Sequence, residues 1–198
     1  MMRKARLAAL AAVVACTTVD GPVTPVPAAQ LHFVVQNPAY HLLSDSASVY
    51  AKVGEDRRLE LYYRGYSSDT GEAFLQFEVH GASLLKRPDG SSFQAGDSIL
   101  ITVVVPDTNV FDFVFSPSGL QFNPADPARL HIEYNYADHD FDRDGHVTSS
   151  DSVARAHLNV WRREPPDTVW TSQGASNSEV FEELEAAITS FSHYAVAW

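Results

Sequence analysis

Cysteine is nearly absent: the chain of 198 residues has one, Cys16. A single thiol excludes a disulfide framework and a cysteine-based zinc site. Basic charge is also scarce. Lys and Arg number 14 against 25 Asp and Glu, a formal net charge of −11. Nucleic acid is therefore excluded as a partner, because no basic surface exists to displace counterions from phosphates. Long apolar runs are missing too. The longest near the N-terminus, Leu7 to Val14, falls far short of the ~20 residues of a spanning helix. No internal repeat and no catalytic constellation is visible, and we expect no enzyme activity.

What the N-terminus does contain is an address. Arg3, Lys4 and Arg6 precede the short apolar stretch, as in a secretory signal. The run Val13-Val14-Ala15-Cys16 resembles a bacterial lipobox. That resemblance implies cleavage before Cys16, lipidation of its thiol and an outer-membrane lipoprotein facing the periplasm or the surface, since Thr17 rather than Asp follows. An ordinary secretory signal with an incidental cysteine is the alternative. Removal of residues 1–15 takes away three bases and no acids, leaving −14. So acidic a surface is repelled by anionic headgroups, and attachment rests on acyl chains. Residues 16–30, with three prolines and one charge, read as the lipidated cysteine and a flexible tether. A protein or polysaccharide partner of unknown identity remains open.

From Leu31 to Trp198 the dominant period is 2. Leu31, Phe33 and Val35 alternate with His32 and Val34. Leu59, Leu61 and Tyr63 do the same, as do Ala73, Leu75, Phe77 and Val79. Phe111, Phe113 and Phe115 follow, then Leu130, Ile132, Tyr134 and Tyr136. Each pattern gives one buried and one solvent face. Ile99 to Val105 is apolar on both faces save Thr102, which predicts a central strand. Leu158–Trp161, Val169–Thr171 and Tyr194–Trp198 add three more. The separators are turn chemistry: Arg87-Pro88-Asp89-Gly90, Pro106–Asn109 and Glu164–Asp167. Residues 179–189 fit a helix stripe or a strand, and we favour a strand in their second half. The fold class predicted is all-β, an antiparallel β-sandwich with an inserted calcium loop and a short helix.

Two stretches carry a family resemblance: FSPSGLQFNP at Phe115–Pro124 with Ala128-Arg129-Leu130, and the ending SFSHYAVAW at Ser190–Trp198. Together they resemble the ZU5-type β-sandwich over roughly residues 74–198, a module that bacterial lipoproteins carry. Some ZU5 relatives cleave themselves at His-Phe-Ser. The matching positions here are Ser190-Phe191-Ser192, which would make Ser192 the nucleophile. The preceding histidine is absent, and His193 lies on the far side of the serine. A serine without an adjacent base is a poor nucleophile. The alternative is that Phe191 plugs the core and Ser192 satisfies the turn.

The sharpest motif is Asp140-Phe-Asp142-Arg-Asp144-Gly145-His146-Val147-Thr148-Ser-Ser-Asp151, the D-x-D-x-D-G calcium-loop pattern with an acid at position 12. Carboxylates at positions 1, 3 and 5 converge on one point, and Gly145 permits the bend. His146 offers its backbone carbonyl, Thr148 ligates directly or through water, and Asp151 closes the shell. Val147 is expected to pin the loop to the core. Oxygen ligands favour calcium over zinc. The loop resembles that of dockerins and of the EF-hand, with Ser152–His157 as exit helix and Val153 facing inward. Unlike a dockerin, it occurs once and follows a strand. A solvated acidic loop is the bland alternative, but four adjacent carboxylates repel one another unless a cation neutralises them. Zinc at His139 and His146 lacks the spacing of a site. Trp161, Trp170 and Tyr62 offer a carbohydrate-binding platform if exposed.

Overall fold

The computed structural model describes residues 24–65 and 70–198; the signal segment and Cys16 lie outside the described residues. Among the described residues, fourteen strands, one α-helix and a single 3-10 turn (Ala28–Gln30) follow in chain order: β1 (Val26–Pro27), β2 (Ser46–Lys52), β3 (Arg57–Arg64), β4 (Thr70–Val79), β5 (Leu84–Lys86), β6 (Ser98–Val104), β7 (Asp112–Ser116), β8 (Gln121–Phe122), β9 (Ala128–Glu133), α1 (Ser149–Ala156), β10 (Asn159–Arg163), β11 (Val169–Ser172), β12 (Ser176–Ser178), β13 (Glu183–Ile188) and β14 (His193–Ala197). They form a seven-stranded sheet, β1-β11-β10-β14-β7-β6-β2, and a five-stranded sheet, β12-β13-β9-β4-β3. A two-stranded ribbon joins β5 to β8. Every strand pairing is antiparallel. The fold is the antiparallel β-sandwich class that the period-2 pattern predicts.

The core lies between the sheets and is unusually aromatic. Phe113, Phe115, Tyr194 and Val196 point inward from β7 and β14; Leu59, Leu61, Leu75, Phe77, Leu130 and Ile132 meet them from β3, β4 and β9. The rings of Phe77 and Phe115 pack across the layers at 5.0 Å. β13 buries Leu184, Ala186 and Ile188 and leaves Val180 and Phe181 in solvent before it, so the ambiguous segment resolves as a strand. β13 and β14 belong to different sheets, so Ser190–Ser192 crosses the sandwich. Phe191 fills the crossing against Phe77, Phe115 and Phe122.

The turns behave as their chemistry requires. Gly90 (φ 83°) donates to the Arg87 carbonyl at 2.9 Å, and Asp167 donates to Glu164 at 2.7 Å between β10 and β11. Several expectations need correction. β6 is one strand from the sheet edge, not central, and Leu100 and Val104 face solvent. Its apolar residues on both faces reflect β-branched packing on an open face, not burial. Phe74 is buried as well as Leu75, because β3 pairs Leu61 with Leu75 and Tyr62 with Ala73. Phe74 is thus the extra residue of a β-bulge, which swings it inward.

The N-terminal expectation also changes. The tether was expected to run to residue 30, but Val26 and Pro27 already pair with Trp170 and Val169. Residues 31–37 then form a strap of single bridges, Phe33 to Ala197, Val35 to Val110 and Gln36 to Ala137. Val34 enters the main core, and Leu31 joins a second apolar cluster with Trp170, Ala195 and Ala197 on the outer face of the seven-stranded sheet. Leu31 and Val34, three positions apart, are buried on opposite sides of the strap, so the strap has no single solvent face of the kind the alternation of Leu31, Phe33 and Val35 predicted.

Candidate metal site

Chain order places the acidic loop at the end of the sandwich, between β9 and α1. Phe141 roots it: the ring is buried, and its carbonyl accepts the Trp198 indole N–H at 3.4 Å. Val147, expected to hold the loop down, is 69% exposed. The anchor is therefore position 2 of the loop and not position 8. Gly145 sits at φ 90°, the left-handed region that glycine enters without cost from a Cβ.

The carboxylates at positions 1, 3 and 5 fold the loop back on itself. Asp140 accepts the backbone N–H of Asp144 at 3.1 Å and of Gly145 at 2.8 Å. Asp142 accepts the Asp144 N–H at 3.2 Å and the Ser150 hydroxyl at 2.7 Å. Asp144 accepts the His146 N–H at 2.8 Å. One ligand oxygen from each of Asp140, Asp142 and Asp144 lies within 4.8 Å of the others. A hard cation such as calcium takes roughly six to eight oxygens, and these three would supply part of such a shell.

Thr148 and Asp151 do something more local. Thr148 is the N-cap of α1, and its Oγ1 accepts the Ser150 N–H at 3.2 Å. Asp151 reaches back to the Thr148 N–H at 2.7 Å and closes a capping box. Its other oxygen accepts the Asp142 N–H at 3.2 Å. These donors, the Thr148 amide foremost, hold the Asp151 carboxyl below the usual carboxylate range. Asp151 is only 3% exposed and stands outside the 4.8 Å cluster, one hydrogen bond behind it. The helix begins at Ser149, earlier than expected, because this cap fixes it there. Ala154 faces inward; Val153, expected to do so, is 60% exposed.

The six loop positions expected as ligands thus divide. Asp140, Asp142 and Asp144 are brought together; Thr148 and Asp151 are engaged in the cap; His146 is exposed at the loop tip. His139 turns away toward Glu182, 3.7 Å distant, so it and His146 do not converge. Sequence reasoning missed Arg143. Its backbone is left-handed at φ 59°, and its Nη2 donates to the Phe33 carbonyl at 2.6 Å. Among the described residues, no carboxylate lies within 4.0 Å of this guanidinium, although Asp142 and Asp144 are its sequence neighbours. No sequence signal links two residues 110 positions apart.

Two other expectations have definite places. The Ser192 hydroxyl is buried and donates to the Arg163 carbonyl, while His193 Nε2 bonds Asp112 and its Nδ1 accepts from Arg163 Nη2 at 2.6 Å. Ser192 and His193 are thus committed to different partners. Trp170 is 4% exposed, and the Trp161 indole donates to the Ala197 carbonyl at 3.1 Å. These two rings do not form an open platform. Comparison with protein-family models, curated proteins and solved structures returns no match.

Proposed function

We propose that this chain is a non-catalytic, lipid-anchored module of the cell envelope, a ZU5-like β-sandwich whose 140–151 loop binds calcium. The carrying observation is the cluster of Asp140, Asp142 and Asp144, with ligand oxygens inside 4.8 Å while the loop's own guanidinium points elsewhere. Three carboxylates held that close favour a divalent cation over solvent alone. Calcium would be held by these three, with the His146 carbonyl, Thr148 and Asp151 as the remaining ligand positions. The ion's contribution is structural: it orders the connection between β9 and α1.

The anchor reading rests on Cys16. Ten Cα-to-Cα steps, with nine residues between, separate it from Val26, the first strand pairing among the described residues. At full extension they reach roughly 33–36 Å, so the sandwich would stay close to the bilayer. Cys16→Ala should abolish incorporation of labelled fatty acid; unchanged incorporation overturns the anchor.

Isothermal titration of calcium into the protein tests the site. One site is expected, with an affinity of the order of 10⁻⁴ to 10⁻³ M, as in extracellular modules. Asp140→Asn with Asp142→Asn should remove the heat. No saturable heat in the parent protein overturns the calcium reading.

A further inference from the structure

Where the strap passes into residues 37–45, the chain forms a cavity of about 380 Å³ whose lining includes Gln36, Pro38, Tyr40, Ser44, Thr108 and Asn109. Small-molecule sites span roughly 300–1,000 Å³. Its walls are held in place by the backbone. Tyr40 N–H donates to the Asn37 carbonyl at 3.0 Å, Leu43 N–H to Tyr62 at 2.8 Å and Val105 N–H to Asp45 at 2.8 Å. Gln36 N–H donates to the Asn109 carbonyl at 2.8 Å and so fixes one wall to the other.

Two features of this cavity point to a ligand. Gln36 is only 5% exposed, and its Oε1 accepts the Tyr63 hydroxyl at 3.4 Å. Its Nε2 has no partner among the described residues. A buried donor left unpaired costs free energy, which an acceptor on a ligand would recover. Tyr40 supplies an aromatic surface. Its ring stacks on Tyr136 at 4.1 Å and 11°, yet the residue is 42% exposed. The stack holds the ring rigid while leaving much of it open to solvent.

The chemistry of the walls narrows the class of ligand. Among the described residues no Lys or Arg lines the cavity, whereas Asp45 does, so an anion is disfavoured. The amides of Ala39, Tyr40 and Leu43 are all committed within the chain, which leaves no strand edge for an added peptide. What remains is an aromatic ring, the apolar Pro38 and Leu42, and groups that hydrogen-bond neutral hydroxyls: the Gln36 amide, Ser44, Thr108 and Asn109. A pyranose has the matching mixture, with apolar C–H groups on a ring face and hydroxyls around its rim. We propose that this cavity binds a neutral sugar, packed on Tyr40 with one oxygen accepting from Gln36 Nε2. The site is independent of the acidic loop and of any ion there.

Nuclear magnetic resonance on the ¹⁵N-labelled chain tests the proposal. Glucose, galactose, mannose and N-acetylglucosamine are each titrated to about 50 mM, with glycerol as the control polyol. At least one sugar should shift the Gln36 side-chain amide saturably, together with the Thr108 and Asn109 backbone amides, and glycerol should not. Tyr40→Phe should bind like the parent, and Tyr40→Ala about tenfold more weakly. Tyr40 is exposed, so both variants should keep the fold, read by unchanged amide shifts in β4 and β9. If none of the four sugars gives a saturable shift at Gln36, or glycerol gives the same one, the cavity is a hydrated cleft and the proposal falls. Undiminished binding by Tyr40→Ala, or a Tyr40→Phe as weak as Tyr40→Ala, likewise overturns it.

Discussion

Asp151 accepts the backbone N–H of Thr148 at 2.7 Å and so ties the last position of the acidic loop to the first turn of α1. The bond gives Asp151 a role that does not depend on any ion. Asp151→Ala should lower the melting temperature by roughly 2–4 °C even in chelator, the scale of a lost N-cap. Because Thr148 and the neighbouring amides depress its pKa, Asp151 stabilises the fold at pH values above the usual carboxylate range. That contribution is lost as pH falls through the depressed value. Parent and Asp151→Ala should therefore converge in stability at acid pH. A gap that persists at pH 2 contradicts the cap assignment.

The Ser192 hydroxyl faces the Arg163 carbonyl and has no histidine as its base. The chain should stay intact on prolonged incubation. Cleavage before Ser192 would release residues 192–198, and intact mass spectrometry reads that loss directly. Ser192→Ala and the parent should differ only by the mass of one oxygen.

Tyr63, Tyr134 and Tyr194 are all buried. Burial raises their phenolic pKa values above the ordinary tyrosine range, to about 12 for Tyr134 and higher for the other two. A raised folded pKa favours the neutral phenol, so its stabilisation is complete below pH 10 and disappears as pH climbs further. Ultraviolet titration should show these three of the eight tyrosines ionising only together with loss of fold. All eight ionising near pH 10 with the fold intact contradicts the packing.

Phe191 and Phe181 differ by ten positions and lie at opposite extremes of burial. Phe191 is enclosed by Phe77, Phe115 and Phe122, whereas Phe181 is 75% exposed. Phe191→Ala should cost about 3–5 kcal/mol of unfolding free energy. Phe181→Ala should stay within about 0.5 kcal/mol. Denaturant unfolding compares them, and similar losses would contradict the proposed crossing of the sandwich.

Period 2 made the sheets legible, because alternation is imposed by the pleat and needs no tertiary information. It located the inward residues of β3, β7, β9 and β13. It failed where two neighbours compete for one segment. The strap is covered on both sides, so Leu31 and Val34 are both buried; the bulge at Phe74 breaks the count by one. The acidic triad was legible from spacing alone, since positions 1, 3 and 5 converge in any tight loop. Its supports were not. Phe141 rather than Val147 roots the loop because Trp198 reaches it, and Arg143 finds Phe33 only after the chain has folded.

The central claim is that Asp140, Asp142 and Asp144 hold calcium, and thermal unfolding tests it most directly. Binding to the native state alone must raise the melting temperature. At a calcium concentration near 100 times the dissociation constant, the account predicts a rise of roughly 5–10 °C over chelator. The rise should vanish in Asp140→Ala with Asp142→Ala. An identical melting temperature in 10 mM calcium and in chelator would contradict it.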